Sequence, residues 1–350
     1  MNRVVEWLPD NTAALIFTTV NRQYLTGFES SLGYLVISKK DSTLFVDGRY
    51  ILAAKQSVKN CRVELFGAKS GVVKDYVKSL GVKTLICENT ISVAQFDVFK
   101  NTFDDVEVTA GGGLCDFING LRKIKTEFEV ESIIKAQRIA EKAFSDVLNF
   151  IKSGITERDV AAELEYRMKK YGSENPSFDT IAVAGLKSAM PHGEPDDNVI
   201  KDGDFLTMDF GATYNGYHSD MTRTVAIGHV TDKMQLVYNT VLEAQLAAER
   251  TVKNGVLCSD VDNAARSVIS YKGFGEYFTH STGHGIGLEI HEAPTVSSLS
   301  ETPLQSGMII SDEPGVYIEN EFGVRIEDML LVTDEGSKNL TLAEKSLIIL

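Results

Sequence analysis

Two aspartates, Asp209 and Asp220, interrupt the stretch TMDFGATYNGYHSDMTRT, whose other residues are typical of buried β-strands. At its centre, Asn215 and Gly216 form the strongest short-range signal for a two-residue hairpin turn. With that turn, both aspartates lie on one polar face as diagonal neighbours, with Cβ atoms about 7 Å apart. Carboxylates at this spacing can hold one cation between them. The alternative is a pair of solvated aspartates on the outer face of an edge hairpin.

The same register divides the other side chains of the hairpin between two faces, because successive residues of a strand point to opposite sides. Across the hairpin, Asp209 faces Thr222, and His218 faces Thr213. The polar face therefore holds His218 and Thr222 beside the aspartates. The opposite face is apolar and is expected to pack on a core; it carries Met208, Phe210, Ala212, Tyr214, Tyr217 and Met221.

An internal repeat predicts where partners for the aspartates come from. Segments 154–172 and 255–273 have equal length, glycine at both ends and Asp-Val at the same offset, so each predicts a capped helix ended by glycine. Each follows a longer helical run, at 126–152 or 231–252, and each precedes a histidine and then a β region with two acids. The hairpin is the first of these β regions.

The second β region, SDEPGVYIENEFGVRIED, has Glu313 and Glu327 on either side of an ENEFG turn. Two related halves would bring all four acids to a shared axis, where they cannot all stay ionised without cations. Two divalent ions would neutralise them. A nitrogen ligand is then expected from the stretch HSTGHGIGLEIHEAP, which offers His280, His284 and His291.

Composition sets limits on the class of protein. A chain of 350 residues with 43% hydrophobic content is long enough for two domains. The formal net charge of -14, without any basic run, argues against nucleic acid and anionic membrane surfaces as partners. The start, MNRVVEWLPDNTAALIF, is broken by polar residues and proline, which argues against a signal peptide or a membrane span. Four cysteines without CxxC spacing favour a reducing, cytoplasmic setting.

The chain is predicted to form two domains, 1–118 and 119–350. Residues 13–109 alternate short apolar runs with amphipathic segments, which indicates an α/β domain. After a glycine-rich stretch, Thr126 and Glu129 form a capping-box signature at the head of the first long helical run.

Five motifs in order, MDFG, SDMTRT, STGHGIGLEIHE, SDEPGVY and VRIED, resemble the metal-binding signature of the pita-bread metallopeptidases. These include aminopeptidase P, prolidase, creatinase and methionine aminopeptidase. YLTGF and LFVDGRY resemble the creatinase-type N-terminal domain. The resemblance implies an α+β fold class, with a creatinase-like α/β domain before a pita-bread catalytic domain of pseudo-two-fold α+β architecture. It also implies a homodimer.

Matched by position, the resemblance implies two metal ions held by Asp209, Asp220, His284, Glu313 and Glu327. Asp220 and Glu327 would bridge the ions. Four oxygen donors and one imidazole suit a hard or intermediate ion, Mn²⁺ or Co²⁺. Such a pair activates water at neutral pH and polarises the scissile carbonyl, and Glu313 would carry the proton to the leaving nitrogen.

Other residues match active-site positions of that family. His192 and His291 match substrate-facing histidines that would steady the oxyanion, and His280 matches a further active-site histidine. Tyr317 and Arg325 match positions near the bridging glutamate. Arg325 is two residues before Glu327 on a predicted strand, so its guanidinium is expected to orient that carboxylate.

Three further polar residues are not among the matched site residues. Thr222 is expected to hydrogen-bond a predicted ligand carboxylate, the alternative being an ordinary cross-strand threonine. His218 matches no ligand position of the family, and His229 is expected at the surface.

The intact ligand set argues against creatinase-like enzymes and histone-binding chaperones, which lose it. Methionine aminopeptidases generally lack the N-terminal domain, so Xaa-Pro peptidases remain. Many prolidases have an arginine after HE-x-P, where this chain has Thr295. We therefore expect an aminopeptidase that acts on peptides with proline second, with an Xaa-Pro dipeptidase as the alternative. A peptide-binding or chaperone-like protein that retains the metal site is the non-enzymatic alternative.

Overall fold

The computed structural model describes residues 1–67 and 71–350. The chain divides into two compact units, 1–122 and 123–350. Residue 118, the expected domain boundary, lies within the helix that runs up to this division. No helix in the described ranges is long and apolar enough to cross a membrane.

The helices are α1 (Asn2–Trp7), α2 (Thr19–Thr26), α3 (Ile51–Ser57), α4 (Val72–Leu80), α5 (Val93–Thr102), α6 (Gly112–Lys123), α7 (Glu127–Val147), α8 (Glu157–Lys170), α9 (Asp232–Thr251) and α10 (Cys258–Tyr271). Two 3₁₀ helices are Gly185–Ala189 and Gly275–Tyr277. The strands are β1 (Thr12–Ile16), β2 (Gly33–Ser38), β3 (Ser42–Val46), β4 (Arg62–Leu65), β5 (Thr84–Cys87), β6 (Glu107–Ala110), β7 (Ile181–Ala184), β8 (Phe205–Phe210), β9 (Thr213–Tyr214), β10 (Tyr217–His218), β11 (Met221–Ala226), β12 (Gly283–Gly285), β13 (Glu292–Val296), β14 (Ile309–Asp312), β15 (Gly315–Ile318), β16 (Phe322–Arg325), β17 (Asp328–Val332) and β18 (Ser337–Asn339).

The first unit is an α/β domain around one six-stranded sheet. Its strand order is β4-β3-β2-β1-β5-β6, with antiparallel pairs at β1/β2 and β2/β3 and parallel pairs elsewhere. Alternate residues of the central strands enter two different cores, so Ala14 and Ile16 lie in one and Ala13 and Leu15 in the other. Helices therefore cover both faces of the sheet, as a mixed sheet of this kind requires.

The second unit repeats one order of elements. Helices α7 and α8 precede the three-stranded sheet β11-β8-β7, and helices α9 and α10 precede the five-stranded sheet β13-β12-β14-β17-β18. Each half has its own apolar core. The pseudo-two-fold α+β architecture predicted from the repeat is therefore present.

Local signals explain where the helices of this unit begin and end. The capping box of Thr126 and Glu129 heads α7 as predicted, and a second capping box heads α8. Gly172 and Gly273 follow α8 and α10 with positive φ angles of 103° and 86°. The predicted glycine end of each repeat is therefore present, while α10 begins after Leu257, whose side chain makes no capping hydrogen bond.

The predicted hairpin register is confirmed. Tyr217 pairs with Tyr214 and Thr222 pairs with Asp209. Asn215 and Gly216 have φ angles of 53° and 76°, the left-handed values that a type I′ turn needs. Between the two strand pairs the chains approach so closely that a Cβ on residue 211 would lie 1.8 Å from the carbonyl oxygen of Ser219, so only glycine fits there.

The two halves meet along β11 and the segment after β16. The amide of Glu327 donates to the carbonyl of Thr222 across 3.1 Å. The Thr224 hydroxyl accepts from the amide of Arg325 at 3.2 Å and donates to its carbonyl at 3.1 Å. These contacts place the acids of one half beside those of the other.

Candidate active site

Asp209 and Asp220 are buried, at 9% and 4% exposure. The alternative of solvated aspartates on an outer face is therefore wrong. Both faces of the hairpin are covered, because the apolar face packs in the core of its own half while the polar face meets the other half. On that polar face, Asp209 lies between its Cα partners Ile181 in β7 and Thr222 in β11.

The acids of the second half lie at the ends of two paired strands. Asp312 in β14 pairs with Asp328 in β17, and the two glutamates are the next residues towards the first half. His284 Nε2 lies 3.4 Å from Glu313 Oε1 and 3.6 Å from Asp220 Oδ2. Donor atoms of Asp220, His284 and Glu327 all lie within 4.8 Å of one another. Of the three histidines that the sequence offered, the structure brings His284 into the group of acids.

The electrostatics of this group are unbalanced without additional positive charge. Burial raises the pKa of Asp220 well above its usual value, and the nearby charges of Asp209 and Glu313 raise it further. Burial raises the pKa of Glu327 as well, and so do the charges of Glu313 and Asp209. Burial raises the pKa of Glu313 to about 8. Arg325 opposes each of these shifts but does not cancel them.

His284 presents one nitrogen to the acids in the form that a metal ligand needs. Burial lowers its pKa to about 4, so the ring is neutral at pH 7. Nδ1 lies 3.1 Å from the carbonyl oxygen of Gly285, to which its proton is donated. The lone pair is then on Nε2, which faces Asp220 and Glu313.

Unpartnered oxygens show that these residues fit a cation. Asp209 Oδ1, Asp220 Oδ1 and Glu327 Oε1 are buried and have no hydrogen-bond partner among the described residues. A buried carboxylate oxygen without a partner is costly, so such atoms need a cation or a donor that the chain itself does not supply. Several carboxylate oxygens with one imidazole suit a divalent ion of hard or intermediate character.

Arg325 joins the two halves through a different contact from the predicted one. The prediction that Arg325 and Glu327 share one strand face is wrong, because β16 ends at Arg325 and β17 begins at Asp328. The guanidinium donates instead to Asp209 Oδ2 at 2.6 Å and to the Thr222 hydroxyl at 3.0 Å. Thr222 in turn donates to Glu327 Oε2 at 2.8 Å, which confirms the hydrogen bond expected of this threonine.

Tyr317 links Arg325 to His280. Its hydroxyl oxygen accepts from Arg325 Nη1 at 2.7 Å and lies 2.9 Å from His280 Nε2. His280 Nδ1 lies 2.8 Å from the carbonyl oxygen of Ser281, so Nδ1 donates there and Nε2 accepts from the tyrosine. Burial lowers the pKa of His280 to about 4. Neutral His280, the Tyr317 hydroxyl and the cationic Arg325 guanidinium are therefore joined by hydrogen bonds in one chain beside the acids.

A cavity of about 730 Å³ opens over the acids. His192, His280 and His291 line its wall, with His192 and His291 exposed to it. The His291 ring packs edge-on against His284, with ring centroids 4.3 Å apart. Thr295 also lines the cavity, next to its Cα partner His284.

Part of the cavity wall was missed in the sequence. Phe178 and Asp179 line it just before β7 and Ile181 at the start of that strand, and Ile290 and Glu292 line it just before and at the start of β13. The signal was the stretch SFDTIAVA, which has the apolar character of a strand beside the one that carries Asp209.

A two-halved α+β unit with buried acids and one imidazole beneath a cavity defines a metal-dependent hydrolase. Metallopeptidase family M24 matches residues 131–334 of this chain, and the Creatinase/Prolidase N-terminal domain matches residues 10–124. The chain belongs to metallopeptidase family M24 and is a peptidase.

Relatives of known structure or activity match almost the whole chain. The Xaa-Pro dipeptidase of Pyrococcus horikoshii is 40% identical, covering 99% of this chain and 98% of its own. The structure of an Xaa-Pro dipeptidase from Bacillus anthracis has 42% identity and a TM-score of 0.92, covering 97% and 95%. The structure of an X-Pro aminopeptidase from Thermotoga maritima has 37% identity and a TM-score of 0.94, covering 99% and 100%.

Proposed function

We propose that this protein is an Xaa-Pro dipeptidase that depends on two divalent metal ions. The observation that carries the proposal is a group of acids and one imidazole beneath a substrate-sized cavity, in a chain that aligns from end to end with Xaa-Pro dipeptidases. This choice departs from the aminopeptidase preferred on sequence grounds. The similarity to dipeptidases supports the alternative better.

The metal ligands we propose are Asp209, Asp220, His284, Glu313 and Glu327, with Asp220 and Glu327 shared by both ions. Their support is the three unpartnered carboxylate oxygens and the orientation of His284 Nε2. Mn²⁺ or Co²⁺ are the ions we propose. When bound, the two ions polarise the scissile carbonyl and lower the pKa of water.

Residues of the chain complete the proposed reaction. Glu313 lies among the acids, with Oε1 3.4 Å from His284 Nε2, and is proposed to take a proton from water and return it to the proline nitrogen that leaves. His291 faces the cavity beside His284 and is proposed to donate to the carbonyl oxygen as it gains negative charge. Arg325, Tyr317 and His280 hold each other in place and fix Asp209.

A dipeptide also presents a free carboxylate, and Thr295 supplies no charge for it. Arg325 is not free for this role, since it already donates to Asp209, Thr222, Tyr317 and the carbonyl of Pro191. His192 is an exposed donor on the cavity wall, so we propose that it receives the carboxylate. An arginine at position 295 is then unnecessary.

An Xaa-Pro aminopeptidase is the second candidate. Two observations favour it. The fold of the Thermotoga maritima X-Pro aminopeptidase matches over almost the full chain. Thr295, on the cavity wall, is a neutral residue and supplies no cation for a substrate carboxylate. The two activities differ in whether the chain may continue beyond proline.

The test is a cleavage series with the protein loaded with Mn²⁺. Met-Pro, Met-Pro-Ala and a longer Met-Pro peptide are compared by kcat/KM. A dipeptidase is expected to cleave Met-Pro at least tenfold better than the tripeptide, because about 1.4 kcal/mol of carboxylate binding is lost when the chain continues. Preference for the tripeptide and the longer peptide would establish the aminopeptidase instead. No cleavage of any of the three would contradict both activities.

A further inference from the structure

His218 lies on the polar face of the hairpin, two residues before Asp220, yet it belongs neither to the acid group nor to the residues that line the cavity in the described chain. Its ring is partly buried. A partly buried residue that bonds polar groups on two segments joins those segments. The contacts of His218 lie on two such segments.

On one side the ring contacts the segment that leads into β7. His218 Nδ1 lies 2.8 Å from the hydroxyl oxygen of Ser177. Ser177 is held in turn by its own amide, which donates to the carbonyl of Gly211 at 2.9 Å. Phe178 and Asp179, the next two residues, line the substrate cavity.

On the other side His218 contacts the loop between β12 and β13. Its backbone amide donates to the carbonyl of Gly287 at 2.9 Å, and the charges of Glu292 and Glu289, on the same stretch of chain, act on its ring. Ile290 and His291, a few residues further on, line the same cavity. His218 thus contacts both segments, through its ring on one side and through its backbone amide on the other.

We propose that His218 is a positioning residue that sets the distance between the Phe178 side and the His291 side of the substrate cavity. This inference rests on the proposed function, since its kinetic readout is cleavage of an Xaa-Pro dipeptide. The ring acts through Ser177, while the backbone amide holds Gly287. His284 is held separately, because its amide donates to the Ser311 hydroxyl at 3.0 Å. Removal of the His218 ring is therefore expected to leave the metal content unchanged.

The experiment is a double-mutant cycle with His218→Ala, Ser177→Ala and the double variant, all loaded with Mn²⁺. Each single variant is expected to raise KM for Met-Pro about tenfold while lowering kcat less than threefold, with the metal content of the wild type. The double variant should be no worse than His218→Ala, because both changes remove one shared contact. His229→Ala, an exposed histidine outside the cavity, is the matched control and should have the kinetics of the wild type.

His218→Asn provides the rescue, since its amide group lies at the position of Nδ1 and can bond Ser177. It should recover most of the KM and also tests the idea if His218→Ala does not fold. Hydrogen exchange of amides 177–180 and 285–292 gives a readout independent of activity, and both segments should exchange faster in His218→Ala and in Ser177→Ala than in the wild type and His218→Asn.

Unchanged KM and unchanged exchange in the His218 variants would overturn the inference, as would additive effects in the double variant. Loss of metal would show that His218 belongs to the metal site instead. If the wild type cleaves no Xaa-Pro peptide, the proposed function fails, while the exchange measurement still decides whether His218 joins the two segments.

Discussion

Thr222 donates its hydroxyl proton to Glu327 Oε2 across 2.8 Å, and the same hydroxyl oxygen accepts from Arg325 Nε across 3.0 Å. Arg325 also donates to Asp209. The threonine and the guanidinium together therefore connect two carboxylates from opposite halves of the catalytic unit. A shared bridge of this kind fixes the orientation of both acids at once.

Replacing Thr222 by Val should weaken Mn²⁺ binding and lower kcat, each by about tenfold or more. Valine keeps the shape of the side chain but leaves Glu327 and Arg325 without their common partner, and partners of this kind typically contribute 10- to 100-fold to metal affinity or activity. Competition with a chelator and steady-state kinetics measure the two effects. Thr222→Ser keeps the hydroxyl and should restore most of both, so equal losses in the two variants would argue against the hydrogen bond as the cause.

Replacing Asp220 by Asn should abolish peptide cleavage and yet stabilise the metal-free protein. Burial and the neighbouring acids Asp209 and Glu313 disfavour the charged Asp220 carboxylate when no cation is present. The neutral amide removes that repulsion, and each kcal/mol gained should raise the unfolding temperature by about 2–4 °C. Thermal unfolding at pH 8 in excess chelator measures this. A lower unfolding temperature for the variant would mean that the acids are not crowded.

Mn²⁺ should stabilise the protein more at high pH than at low pH. In the metal-free protein the pKa of Glu313 is raised to about 8, so between its ordinary value and pH 8 the folded state holds a proton that the unfolded state has lost. Metal-free stability therefore falls as pH rises through this window, and a bound ion removes the loss because it takes the deprotonated form. The difference in unfolding temperature with and without Mn²⁺ should grow from pH 5.5 to pH 8.5. A constant difference would contradict the raised pKa.

Replacing His291 by Ala should leave the metal content unchanged and lower kcat about 100-fold, since loss of one donor to a developing oxyanion typically has an effect of this size. The side chain is exposed on the cavity wall and packs edge-on against His284. Elemental analysis with steady-state kinetics separates the two effects. Metal loss in this variant would show that His291 supports His284 and not the substrate.

Replacing Arg223 by Met should destabilise the catalytic unit by about 3 kcal/mol, because the buried Asp328 carboxylate loses one of its two cations and keeps only Lys345, whose Nζ lies 2.8 Å from Oδ2. Arg223 is 1% exposed, donates to Asp328 Oδ1 at 2.7 Å and reaches the carbonyls of Glu327 and Glu344. Chemical denaturation of the metal-free protein measures the loss. Arg158→Met, at an exposed ion pair, is the control and should change stability by less than about 1 kcal/mol.

The sequence alone determined the local structure around the acids. The Asn215-Gly216 turn sets the hairpin register, because the period of a strand is two and a shift by one residue would place every apolar side chain on the wrong face. The capping box of Thr126 and Glu129 likewise specifies the start of α7 through bonds within one helical turn. The repeat predicted a shared site for a different reason, because the same order of helices, histidine and paired acids recurs in the second half of the unit.

Only the tertiary structure decided which distant groups meet. Arg325 contacts Asp209, 116 positions away, and not the carboxylate two residues along its own segment. The burial of both hairpin faces, the contribution of Phe178 to the cavity and the contacts of His218 with two segments follow in the same way. These contacts depend on how two separately cored halves pack along β11, and the side-chain pattern within either half carries no information about that packing.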